Sequence, residues 1–156
     1  MPKIRTKLLN YTTSIESSKT INEIMGILSK NGAKAVLIDY DDDGSVSGLS
    51  FKIHSSQGNE LGIKLPVNYQ AVLKILERQG VVWRLRTKEQ ALRVAWRILK
   101  HWVEAQMAIL QVEMVTLEQI FLPYFITPSG KTLYEAMVDS RFQLPQGNKD
   151  SEEAEN

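Results

Sequence analysis

The chain has 156 residues, 43% hydrophobic and 24% charged, a size and balance expected of one soluble domain with a substantial core. It has no cysteine, which excludes disulfides, thiolate metal centres and cysteine nucleophiles, and its net charge of +1 signals no bulk affinity for polyanions. No apolar run is long enough to span a bilayer, and MPKIRTKLLNYTTS lacks the apolar core of a signal peptide, so a cytoplasmic protein with no membrane partner is expected.

Charge is distributed unevenly. Lys3, Arg5 and Lys7 make residues 1–10 a basic N-terminal arm. Asp150, Glu152, Glu153 and Glu155 make residues 141–156 an acidic tail, expected to be disordered because it has almost nothing to bury. Residues 11–140 between them are read as a single α+β domain.

Tyr11–Ile15 is expected to form a short strand. Thr20 and Glu23 have the spacing of a capping box, which starts a helix by satisfying backbone N–H groups with side chains. Ile21, Ile24, Met25 and Leu28 share one face of that helix, and Asn31-Gly32 stops it. Ala35–Ile38 is a short apolar run, read as a central strand. Leu49, Phe51 and Ile53 alternate with polar neighbours, and Leu61, Ile63 and Leu65 repeat the pattern after Gln57-Gly58-Asn59. Together these segments predict a three-stranded meander.

Pro66 and Asn68 open a second helix, with Tyr69, Val72, Leu73 and Leu76 on one face and Gly80 at its end. Val81–Arg86 is a strand or an extended connection. Thr87 and Gln90 form a second capping box before the longest helix, which is expected to reach at least Met114 and to extend towards Leu122 before Pro123. Thr132 and Glu135 cap a short last helix. The order β-α-β-β-β-α-α with a helical C-terminal extension predicts an α+β fold, an antiparallel β-meander packed against helices that include a long apolar one.

Four features bear on chemistry. In DYDDDGSVSGLS, Asp39, Asp41, Asp43 and Gly44 match the start of a calcium loop. Its twelfth position, which needs a bidentate carboxylate, is Ser50, and the loop joins two strands instead of two helices. Asp-Gly between strand-like runs signals a hairpin, so the turn reading is preferred and these aspartates stand as weak metal candidates only. Ser129-Gly-Lys-Thr132 ends like a phosphate-binding loop but has Phe125 where that loop needs glycine, so it is read as the turn before the last helix. His54 and His101 have no zinc spacing, and no serine sits in a nucleophile elbow. The chain is therefore read as non-enzymatic, without a cofactor.

The segment VVWRLRTKEQALRVAWRILKHW carries the strongest asymmetry. Arg93, Arg97 and Lys100 follow helical spacing opposite a broad apolar arc, and Arg84, Arg86 and Lys88 come just before them. One reading has these cations pairing with internal carboxylates and laying their stems over apolar neighbours. The other has Arg84, Arg86, Lys88, Arg93, Arg97 and Lys100 contacting phosphates while Trp83 stacks on a base, single-stranded DNA being favoured. Trp96 and Trp102 are assigned to the core. A third reading notes the apolar stretch from Met107 to Phe125, which either docks on the chain's own sheet or forms an interface with a second copy or another protein.

Three stretches together, Tyr11-Thr-Thr13, GAKAVLIDYDDDG (32–44), and AWRILKHWVEAQMA (95–108) followed by FLPY (121–124) and LYEAM (133–137), resemble a family of small proteins of bacteriophages, prophages and mobile elements. The resemblance spans about residues 11–138 and supplies a setting without catalytic residues. It implies a setting in the cytoplasm of a bacterial host, in phage or mobile-element DNA metabolism; with the basic segment and the apolar stretch, the chain is read in that setting as a nucleic-acid-binding homo-oligomer. It equally admits a protein-binding module or inhibitor of a host factor.

Overall fold

A computed structural model describes residues 6–144 of the chain. Lys3, Arg5 and the acidic residues 150–155 lie outside the described residues. The fold is α+β, with helices α1 (Ser17–Lys30), α2 (Tyr69–Arg78), α3 (Lys88–Gln111), α4 (Leu117–Phe121) and α5 (Leu133–Asp139). Strands β1 (Ala35–Tyr40), β2 (Val46–His54) and β3 (Glu60–Lys64) form one antiparallel sheet in the order β1-β2-β3. The meander and both helices that frame it stand where the periodicity put them.

Alternation sets which face of the sheet is buried. Leu49, Phe51 and Ile53 of β2 and Ile63 of β3 point towards α1 and α3, whose Ile21, Ile24, Leu28, Leu92, Trp96, Leu99 and Val103 complete the core. Trp96 is fully buried, and removing its ring would cost about 3–5 kcal/mol. Phe121 packs edge-on against Phe51 at 5.6 Å and against Trp102 at 5.9 Å. The apolar stretch beyond Met107 thus docks largely on the chain's own sheet and helices. A smaller cluster of Leu76, Val81 and Ala91 joins α2 to the start of α3.

Several local expectations are corrected. Tyr11–Ile15 forms no strand: the segment finds no ladder partner among the described residues, and the Gln90 amide instead donates to the Tyr11 and Thr13 carbonyls, each at 3.0 Å. Helix α1 begins at Ser17, so Thr20 and Glu23 are not its cap but lie about one and two turns inside it. Val81–Arg86 contains a 3-10 turn at Trp83–Leu85. Helix α3 stops at Gln111, because Glu113 takes a left-handed conformation (φ 57°) and Thr116 with Gln119 forms a capping box that starts α4. The caps at Asn68, Thr87 and Thr132 form, but at Thr87 only half of the expected capping box is made, because the Gln90 side chain is turned to the Tyr11 and Thr13 carbonyls.

Strand β1 is an edge strand, not a central one. Its residues are exposed except for half-buried Ile38, which pairs with Leu49 on the core side. An apolar run resembles a strand buried on both faces, but neighbours on both sides are a property of the sheet, not of the run. The opposite edge is covered. After Pro123 the chain returns to β3, where Phe125 bridges Ile63 and the Ile126 N–H donates to the Gly62 carbonyl at 2.8 Å.

Candidate functional site

The acidic stretch is the β1–β2 hairpin turn. Asp41 and Ser45 close it with a backbone bond of 2.8 Å, and Gly44 supplies the positive φ of 83° that the turn requires. Asp43 accepts from both the backbone N–H and the hydroxyl of Ser45. Lys88 at the start of α3 reaches across, its Nζ lying 2.9 Å from Asp41 and 2.8 Å from Asp43. The Lys88 hydrogen bond holds the Asp43 carboxyl well below its ordinary range, and bonding to Asp43 and then Asp41 pushes the Lys88 ammonium above its own. A lysine therefore stands where a cation between these carboxylates would sit, and Asp39 is separated from them on the strand. Among the described residues, no cluster of three or more histidine or carboxylate side chains could hold a metal ion.

The Ser129–Thr132 stretch is a turn, with Gly130 at φ 85° and Thr132 capping α5. Lys131 binds Asp139 at 2.5 Å, which raises its pKa. His54 is exposed on β2 opposite Glu60, and His101 lies 3.7 Å from Glu104.

The basic ridge divides into two parts. Arg93 bonds Glu16 at 2.9 Å and Glu89 at 2.7 Å. Arg97 bonds Glu23 at 2.8 Å and donates to the buried hydroxyl of Thr20 at 3.3 Å. Lys100 lies 2.7 Å from Glu104 and 3.9 Å from Glu23, and its hydrogen bond is the main cause of the lowered Glu104 pKa. The side chains of Arg97 and Lys100 are only 14% exposed. These three cations, with Lys88, clamp α3 to α1 and to the β1–β2 turn. Any polyanion would have to displace carboxylates that already hold them.

The second part is open. Trp83 is 75% exposed on the 3-10 turn, with exposed Arg84 and Arg86 beside it. Neither arginine has an ion-pair partner among the described residues. From Arg78 to Lys88 the chain carries four cations and no carboxylate. Lys7, from the basic arm, donates to the Gln79 carbonyl, and the Gln79 side chain in turn accepts from the Leu8 N–H at 2.9 Å. Lys7 is thereby held at Gln79, next in the chain to Arg78 and four residues before the exposed indole of Trp83.

Of the residues singled out by sequence, the structure therefore leaves Trp83, Arg84 and Arg86 open and engages Lys88, Arg93, Arg97 and Lys100 internally. Sequence reasoning missed the distant carboxylates that engage them: Glu16 and Glu23 lie more than seventy positions away along the chain and Asp41 lies 47 from Lys88, out of reach of any spacing rule, whereas Glu89 and Glu104 are i,i+4 partners of Arg93 and Lys100 that helical spacing could have found. It also missed Lys7 and Arg78. No protein-family model, curated protein or solved structure matches this chain.

Proposed function

We propose that the chain is a non-enzymatic nucleic-acid-binding accessory protein, with single-stranded DNA its favoured ligand. The carrying observation is the exposed Trp83 flanked by two arginines that have no carboxylate partner among the described residues. An unshielded guanidinium gains phosphate contact by releasing counterions, and an exposed indole offers a stacking face for any base. Lys7, held at Gln79, and the adjacent Arg78 add two further cations. The reading treats residues 11–140 as one domain acting in the cytoplasm of a bacterial host, in the DNA metabolism of a phage or mobile element. Arg93, Arg97 and Lys100 serve it by holding α3 in place.

The test is a salt titration of binding to a labelled single-stranded oligonucleotide, with double-stranded DNA and RNA as comparison ligands. Arg84→Glu with Arg86→Glu should abolish binding at moderate salt without loss of thermal stability. Replacing both arginines by glutamine should flatten the slope of log K against log salt by about 1.4 for two phosphate contacts. Trp83→Ala should weaken binding by about 1–3 kcal/mol. Unchanged affinity in the charge-reversed variant would remove the assignment.

A rival reading is a protein-binding module or host-factor inhibitor. It has a narrower surface than the stretch 107–125 promised, since Met107 and Phe121 are buried, but Val112, Met114 and Leu122 remain exposed. Nuclease-resistant co-purification of one host protein, lost on Met114→Glu, would favour it.

A further inference from the structure

The free edge of the sheet has a geometry of its own. Two bonds show which way each peptide group points. Ile126 donates to the Gly62 carbonyl from outside β3, and Leu65 donates to the Leu49 carbonyl at 3.0 Å. In an antiparallel ladder the peptide groups alternate sides, so Leu49, Phe51 and Ile53 bond towards β3, while Gly48, Ser50 and Lys52 bond towards β1. Their partners Asp39, Leu37 and Ala35 turn inward. Val36, Ile38 and Tyr40 consequently present their N–H and C=O groups to the open side.

Among the described residues that side is unpaired, and it is apolar as well. Leu37 is 63% exposed and Tyr40 68%, and no proline, lysine or bulge interrupts Val36–Ile38. Edge strands of this kind are normally blunted, because they template pairing with another chain. The far edge of the same sheet is blunted by Phe125 and Ile126. Beside Leu37, on the face away from the helices, lies a groove of about 280 Å³ walled by Ile126 and floored by Ser50 and Gly62.

We propose that β1 is a self-association edge, on which a second copy of this chain adds its own β1 antiparallel about a two-fold axis through Leu37. Charge complementarity selects a second copy. Lys30 and Lys34 precede the strand, and Asp39 and Asp42 lie at its end, none of the four ion-paired among the described residues. Antiparallel self-pairing sets each cationic start beside the partner's anionic end, twice over. Peptide alternation restricts the register. The outward group of Val36 must meet an outward group, and with Leu37 on the axis it meets the partner's Ile38. Leu37 then faces its own symmetry mate in a non-hydrogen-bonded pair, and Lys34 stands opposite the partner's Tyr40. The three-stranded sheet becomes one of six strands, and the two grooves meet at the paired leucines. This inference rests on the edge alone and does not depend on the nucleic-acid reading.

The experiment combines sedimentation velocity over a dilution series with one cross-link. The wild-type chain should pass from monomer to dimer with concentration. Val36→Pro deletes an N–H that the fold does not use, so it should abolish the dimer while the circular dichroism spectrum is retained. If that variant fails to fold, Leu37→Lys, at an exposed position, should produce the same loss by placing like charges across the axis. Because the chain has no cysteine, Leu37→Cys should cross-link with itself on oxidation, and Leu122→Cys, exposed elsewhere, should not. A wild-type chain that stays monomeric, a dimer that survives Leu37→Lys, or equal cross-linking at positions 37 and 122 would overturn the proposal. Loss of oligonucleotide binding alone would leave it standing.

Discussion

Glu23 on α1 is the carboxylate on which the clamp turns, because one oxygen serves both Arg97 at 2.8 Å and Lys100 at 3.9 Å. Removing it by Glu23→Ala strips Arg97 of its only ion pair among the described residues and leaves it with the Thr20 hydroxyl, while Lys100 keeps Glu104. Exposed pairs contribute about 0–1 kcal/mol, and losing one partner of a fully buried pair costs about 3–5 kcal/mol. With Arg97 at 14% and Glu23 at 31% exposure, this site falls between those limits. A cost of about 2 kcal/mol follows, or about 6 °C in Tm for a chain of this length. A double-mutant cycle isolates the pair: Glu23→Ala, Arg97→Met and the two together, followed by urea and thermal unfolding. The double variant should be less destabilised than the sum of the singles, with a coupling of about 1.5 kcal/mol. A coupling within about 0.3 kcal/mol of zero would refute the reasoning and return Arg97 to the pool of cations available for phosphate.

The Lys88 bridge to the β1–β2 turn makes a prediction about pH. Lys88, raised above its ordinary value, stabilises the fold below its unfolded pKa and loses that contribution as pH climbs through the folded value. Asp43, depressed, stabilises above its unfolded pKa and loses that contribution as pH falls through the folded one. The bridge should therefore hold across neutral pH and open only in strong acid or strong alkali. In Lys88→Met, the carboxyl carbon-13 titration of Asp43 should move up towards about 4, stopping short because Ser45 still donates to it; no movement would refute the bridge. Gln90, 3% exposed, is the donor to the Tyr11 and Thr13 carbonyls, so Gln90→Leu should cost about 2 kcal/mol and speed amide exchange across residues 11–15. Unchanged exchange there would show that the segment is held by something else.

Much of the local structure was legible. Period-two alternation at Leu49–Ile53 and Leu61–Leu65 and the three-residue spacing from Thr87 and Thr132 located strands and helix starts, because each depends on neighbours within a few positions. The same rule misfired at Thr20 and Glu23. Their spacing is that of a cap, but both side chains face α3, where Arg97 takes them. The end of α3 was missed for a local reason: Thr116-Leu-Glu-Gln119 is itself a cap signal, overlooked inside an apolar run.

The sequence by itself determined the α+β character, the three-stranded meander, the hairpin nature of the aspartate turn and the concentration of cations between Arg84 and Lys100. These follow from backbone preference and short-range periodicity, which act along the chain. Only the tertiary structure decided which strand is the edge, and which cations are spoken for. Arg93 and Arg97 are no different in kind from Arg84 and Arg86; what separates them is α1 laying Glu16 and Glu23 against α3, while among the described residues the turn at Trp83 meets no such carboxylate. Electrostatic satisfaction acts through space, so it becomes visible only once distant segments are packed together.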